Sequence, residues 1–109
     1  MDKRDNILLR KIFDETNIIA DLIKLHDCDS FVGDEKTKRA VCMTLINIGE
    51  MVKLLSNELK VDNPAIPWQS IAGLRNVTAH GYMTLRMEDI WETVNEDVPI
   101  LNEQVKKIL

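Results

Sequence analysis

Apolar residues recur at helical spacing through most of the chain. From about residue 3 to 26, Leu9, Ile12, Phe13, Thr16, Ile19, Ala20 and Ile23 fall on one stripe, and Arg10, Asp14, Asn17, Asp21 and Lys24 fall opposite. No Gly or Pro interrupts this segment, so it predicts one long helix. A break follows from Asp27 to Asp34. A second long helix is predicted from Glu35 to Leu59 with Asp34 as N-cap. Its main stripe is Val41, Thr44, Leu45, Ile48, Met51, Val52, Leu55 and Leu59. Ala40, Met43, Ile46 and Leu54 make its other faces apolar as well, which predicts burial on more than one side.

Pro64 and Pro67 break the chain again, and Pro67 suits the first residue of a third helix, Trp68 to about Ala79. Trp68, Ile71, Ala72 and Arg75 line one side of it. Gly81 then offers a left-handed residue past the helix end, which sets His80 at the last turn. A fourth helix, Met87 to Glu96, turns Ile90, Trp91 and Val94 inward. Asp97-Val98-Pro99 predicts a kink or restart, and a final helix from Pro99 to Ile108 carries Leu101, Val105 and Ile108. No segment shows the period-2 alternation of strands. The expected fold is all-α: an antiparallel four-helix bundle with a kinked or broken C-terminal helix, forming one domain over residues 1–109.

A chain of 109 residues builds a modest core, and its over-apolar second helix is most simply covered by a second copy, so a homodimer is expected. Hydrophobic residues make up 45% and charged residues 29%, a globular composition. No run approaches the roughly 20 apolar residues of a membrane span, and the first residues lack a signal-peptide pattern, so the expected location is the cytoplasm. Cys28 and Cys42 lack metal-ligand spacing and are expected as buried thiols rather than a disulfide. The net charge of −4 argues against coating nucleic acid by bulk electrostatics but permits a local basic cleft.

Candidate chemistry is sparse. With two histidines, no HExxH and no Cys/His cluster, no metal site and no cofactor are expected. Phosphate-loop and dinucleotide glycine motifs are absent, and no serine sits in a nucleophile elbow. What remains is Arg75 followed five positions later by His80. On a regular helix these are rotated by about 140° and share no face. They converge if the helix ends between them, or if two copies pool their Arg and His across a two-fold axis. Such a groove grips phosphate through the guanidinium fork and moves protons through imidazole. It is sufficient, without metal, to drive the 2′-hydroxyl of RNA onto its own phosphate, leaving a 2′,3′-cyclic phosphate and a 5′-hydroxyl. An Arg in a salt bridge and a His bonding the last helix carbonyls would read the same way. Asn47 and Glu50, three apart on the second helix, are either a hydrogen-bonded interface pair or part of a site.

The string Arg75-Asn76-Val77-Thr78-Ala79-His80-Gly81-Tyr82 resembles the Arg-x4-6-His signature of HEPN domains, and its Arg-x4-His-x-Tyr form resembles the HepT-like toxins. The runs RAVCMTLINIGEMVKLLS, PAIPWQSIAGLRNVTAHGY and IWETVNEDVPILNEQV are similar to the second, third and C-terminal helices of that family, over roughly residues 39–105. The resemblance implies a HEPN homodimer that is a metal-independent endoribonuclease, the toxin of a toxin–antitoxin pair. Arg75 and His80 would be catalytic, with Asn76 the polar residue after the Arg. Tyr82, the sole tyrosine, would match the residue to which a minimal nucleotidyltransferase antitoxin attaches AMP. A rival reading is a non-catalytic helical dimer that binds nucleotide or docks a nucleotidyltransferase. A plain helical interaction module is the third.

Overall fold

The computed structural model describes residues 1–77 and 81–109, the side chains of Arg75 and Val77 excepted. Helix α1 spans Lys3–Ile23. Asp2 caps it by accepting the Asp5 N–H at 2.7 Å, and Leu9, Ile12, Thr16, Ile19 and Ile23 are buried along one stripe. Ala20, expected on that stripe, is exposed.

The break after α1 holds a short helix, α2, Cys28–Val32. A reciprocal cap forms it: Asp27 accepts the Ser30 N–H at 2.8 Å while the Ser30 hydroxyl accepts the Asp27 N–H at 3.0 Å. This single turn drives Phe31 into the core, where its ring lies 5.2 Å from that of Trp91.

Helix α3, Glu35–Leu54, starts where expected, with Asp34 accepting the Thr37 N–H at 3.1 Å. It runs antiparallel to α1, as three bonds along the pair record. Thr37 and His26 meet at 3.5 Å near one end, Asn47 donates to Glu15 at 3.0 Å midway, and the Ser56 N–H reaches Asp5 at 2.9 Å at the other end. The helix ends before the expected Leu59. Leu55 is extended, and Ser56 caps a new helix, α4, Asn57–Asp62, by accepting the Leu59 N–H at 3.2 Å. The Asp5 carboxylate takes both the N–H and the hydroxyl of Ser56. A cap backed by a buried carboxylate outweighs continuation of the helix, and Leu59 stays buried.

Helix α5 is short, Trp68–Ala72, and tightens into a 3-10 segment over Gly73–Val77 instead of running on as α-helix. Gly73 sits at the change, where its backbone freedom weakens the α-helix. Trp68 and Ile71 are buried, and the Trp68 indole N–H donates to the Asn63 carbonyl at 3.0 Å. The expected helical residues Thr78 and Ala79, and His80 after them, lie outside the described residues. Gly81 has φ 74 and ψ 138. The positive φ suits glycine as expected, though ψ is extended and not that of a left-handed helix cap.

After a 3-10 turn at Tyr82–Thr84, helix α6 spans Met87–Ile108 without a break. The expected restart at Pro99 does not occur. Pro99 and Asn95 are both exposed, so the Asn95 carbonyl that loses its donor faces water. Val94, Val98, Leu101 and Val105 are buried on both sides of the proline and keep the two halves in register. Asn102 ties α6 to α1 through Thr16 at 2.8 Å and Asn17 at 3.0 Å.

The described residues form an all-α bundle with no strand among them. α1 packs on α3 and α6, while α5 and its 3-10 continuation pack on α3. The core is one cluster from Leu9 to Val105, with Leu9, Ile12, Ile19, Val41, Leu45, Ile48 and Val52 sealed from solvent. Each such side chain contributes about 1.5–3 kcal/mol by burial. Cys42 is buried and Cys28 half-buried, and both are free thiols. Burial pushes the Cys42 thiol above its ordinary range. Among the described residues no helix is long and apolar enough to cross a membrane.

Candidate functional site

The segment that carries Arg75 is the 3-10 continuation of α5, held against α3. Pro67, expected as the first helical residue, instead precedes α5 at its N-cap position, and buried Trp68 and Ile71 fix the helix to the bundle. Asn76 on this segment is exposed. The Arg75 side chain and His80 lie outside the described residues, so the expected convergence of the pair does too.

Asn47 and Glu50 are both exposed on the outer face of α3. With Lys11, Asp14, Glu15 and Met51 they line a groove of about 390 Å³ between α1 and α3. The Asn47 amide donates to Glu15 at 3.0 Å, so it bridges the two helices. Apolar residues flank this polar centre. Met43 and Leu54 on α3 are 58% and 51% exposed, and Ile7 and Ile18 on α1 are 47% and 45% exposed. The antiparallel register sets Ile7 level with Leu54 and Ile18 level with Met43. Both helices therefore present the same order outward: apolar, polar, polar, apolar. The apolar character that the sequence assigns to the outer side of α3 lies on this face, open to solvent in the single chain.

Tyr82 stands across from the first turn of α3. It is half-buried, and its hydroxyl donates to Glu35 Oε2 at 3.1 Å. The same oxygen accepts the Arg39 Nε–H at 2.9 Å, and Lys38 Nζ lies 2.9 Å from Glu35 Oε1. The Arg39 guanidinium also covers the Tyr82 ring, with its carbon 4.6 Å from the ring centroid. Hydrogen bonds from Lys38, then Arg39, then Tyr82 hold the Glu35 carboxyl below its ordinary range. Desolvation, followed by the bond to Glu35, pushes the Tyr82 phenol above its own. The phenol thus keeps its proton at neutral pH while the carboxylate beside it is ionised.

Sequence reasoning missed Glu35, Lys38 and Arg39. Their i, i+3, i+4 spacing on a helix was visible as an ordinary ion-pair pattern. What it lacked was Tyr82, which arrives from 47 residues away. Among the described residues, no three His, Cys, Asp or Glu side chains gather in a way that could hold a metal ion.

The likeness to known proteins runs over nearly the whole chain. A protein named "Putative RNase" from Caldanaerobacter subterraneus subsp. tengcongensis is 36% identical over 101 residues, covering 93% of this chain and 90% of the relative. A "Putative RNase" from Methanocaldococcus jannaschii is 31% identical over 107 residues, 97% of this chain and 98% of the relative. A "Probable ribonuclease HepT" from Thermococcus cleftensis is 36% identical over 80 residues, 73% of each chain. No solved structure gives a significant match. The family profile described as "Ribonuclease HepT-like" matches residues 12–108, a span that takes in the outer face of α3, the Arg75–Tyr82 string and the whole of α6, and the chain belongs to that family.

Proposed function

We propose that this chain is a metal-independent endoribonuclease and the toxin of a toxin–antitoxin pair, acting on cytoplasmic RNA as a homodimer. The observation that carries the reading is family membership over residues 12–108, a span that contains an intact Arg-x4-His-x-Tyr string. Arg75 grips the scissile phosphate and offsets the charge that develops on it. His80 moves the proton between the 2′-hydroxyl and the leaving 5′-oxygen. Asn76, exposed beside Arg75, contacts the ribose-phosphate backbone, and Asn47 with Glu50 borders the dimer groove.

The α1/α3 face supports the dimer. Its apolar corners at Ile7/Leu54 and Ile18/Met43 enclose Lys11, Asp14 and Glu15, a mixed-charge centre that can pair with its own copy across a two-fold axis. Tyr82 supports the regulatory half of the reading. It is partly exposed with its hydroxyl at the surface, so a nucleotidyltransferase antitoxin can reach it and attach AMP. Each AMP adds a phosphate and a base two residues from His80, which excludes RNA by bulk and like charge.

The test is cleavage of RNA by the purified chain in excess chelator. The parent should yield 2′,3′-cyclic phosphate and 5′-hydroxyl ends. His80→Ala should lose on the order of 100-fold or more in rate, the usual scale for removing a general acid–base group. Activity that needs added metal, or full activity in His80→Ala, overturns the mechanism. A chain that cleaves nothing yet binds nucleotide as a dimer would fit the non-catalytic reading instead.

A further inference from the structure

Tyr82 is more than a reachable acceptor. Its hydroxyl is already bonded to a carboxylate oxygen, and that oxygen also takes the Arg39 guanidinium. Glu35 and Arg39 are 59% and 63% exposed, so the group is open to a nucleotide brought by another protein. Lys38, only 13% exposed, completes the set from beneath at 2.9 Å from the second carboxylate oxygen.

We infer that this chain itself supplies the acceptor half of the nucleotide-transfer site: Glu35 takes the Tyr82 proton, and Arg39 with Lys38 receives the transferred phosphate. The inference rests on the reading of Tyr82 as the AMP acceptor. In the step, Tyr82 Oη attacks the α-phosphorus of a nucleoside triphosphate. The new O–P bond forms as the bond to pyrophosphate breaks, and pyrophosphate leaves with the electron pair. The phenolic proton passes along the existing hydrogen bond to Glu35 Oε2.

Three features of the site fit this step. A neutral phenol is a poor nucleophile, and a tyrosine is neutral at physiological pH even before burial and Glu35 raise Tyr82 further, so a base must act during attack. Glu35 is held ionised by Lys38 and Arg39, so it is ready to accept a proton. The phenol becomes strongly acidic only as its oxygen bonds to phosphorus, so transfer to a weak base is downhill at that stage. Once protonated, Glu35 loosens its hold on Arg39 and Lys38. Both cations are then free to pair with the new phosphodiester, which carries the charge the carboxylate has lost. Arg39, lying over the Tyr82 ring, is already placed for that exchange.

The experiment separates the chemistry from the partner enzyme. The chain alone is incubated with adenosine 5′-phosphorimidazolide, an activated nucleotide that transfers AMP to nucleophiles with loss of imidazole. Modification is followed by intact mass and peptide mapping, with Tyr82→Phe as the blank. Tyr82 should be modified, and Glu35→Gln should slow its modification by on the order of tenfold or more. The Gln variant's rate should climb with pH as the phenol ionises unaided, while the parent's stays nearly flat around neutrality. Glu35→Asp should recover part of the rate. Arg39→Met should raise the reagent concentration needed for half-maximal rate and leave the profile nearly flat around neutrality, with only its acid limb moved upward as Glu35 loses a partner. Equal rates and profiles in the parent and Glu35→Gln, with both folded by circular dichroism, overturn the inference, as does a parent unmodified at Tyr82. A second arm uses a minimal nucleotidyltransferase with ATP. Failure there, with the chemical arm intact, counts against the AMP reading and leaves the proton-accepting role of Glu35 standing.

Discussion

Asp5→Ala should destabilise the fold by far more than a usual helix-surface change. Asp5 is 2% exposed and accepts two hydrogen bonds from Ser56, one from the N–H at 2.9 Å and one from the hydroxyl. These bonds close the corner at which the chain leaves α3 and starts α4. Truncation removes both, and each buried donor left without an acceptor costs about 1–3 kcal/mol. Ser56 is half-buried, so water recovers part of the loss, and we expect about 2–3 kcal/mol in all. That is a large share of the roughly 5–15 kcal/mol typical of a domain. Asp5→Asn keeps an acceptor for the N–H and should cost about 1 kcal/mol. Ser56→Ala also removes the α4 cap and should cost about 1–2 kcal/mol. Urea titration of the singles and the double should give a coupling above about 0.5 kcal/mol. A loss under about 0.5 kcal/mol for Asp5→Ala, or additive singles, refutes the account.

Met43→Glu and Leu54→Glu should each leave circular dichroism and thermal unfolding nearly unchanged while shifting the mass in light scattering from dimer to monomer; a dimeric double variant would exclude the α1/α3 face. Tyr82→Phe should stay toxic on expression and escape a co-expressed nucleotidyltransferase, and equal neutralisation of both forms would remove Tyr82 from the regulation. Acid should erode stability through Asp34 and Glu35, whose folded carboxyls are held below their ordinary values of 3.8 and 4.5. A depressed carboxylate stabilises above its unfolded value and loses that contribution as pH falls through its folded one, so the loss should begin near pH 4.5 and deepen below 3.8. Thr37→Val removes a side-chain donor to Asp34 and should flatten the profile at its acid end, as read by melting temperature against pH.

The buried stripe of α1 and that of α3 were legible because helical periodicity and burial coincide in both. Leu9, Ile12, Ile19, Val41, Leu45 and Ile48 are where the pattern sets them. The Asp34 cap was legible too, since it works within three residues. The break at Leu55 was not, because Ser56 needs Asp5, 51 residues distant in sequence, to compete with a helix that its neighbours favour. Pro99 was overread. Val94, Val98, Leu101 and Val105 keep helical spacing straight across it, and a missing N–H on a solvent face breaks no buried bond. Asp27 and Ser30 carry a capping signal for α2 inside the segment that the hydrophobic pattern marks only as a break. At the candidate site, Arg75, His80 and Tyr82 stand in one string, and the Arg75 side chain and His80 lie outside the described residues, whereas the carboxylate and cations around Tyr82 come from another helix and meet it only in three dimensions.

The acidic charge of the chain bears on how the proposed RNA cleavage could be silenced. At −4 overall, it gains little from diffuse attraction to a polyanion, so affinity for RNA must rest on a few cations held in place. Arg75 is one in the proposed mechanism, and Lys38 and Arg39 form a second group, held beside Tyr82 by Glu35. The Glu35 carboxylate already neutralises much of that second group, which in the proposed mechanism leaves it little attraction for RNA before modification. An AMP phosphodiester on Tyr82 reverses the arrangement: it presents a fixed anion to the cations that remain and fills the space beside them. In a strongly basic protein, one such charge would be a small fraction of the total. Here it matches the small positive excess that Lys38 and Arg39 keep over Glu35, so in the proposed regulation a single modified side chain reverses the local balance of charge.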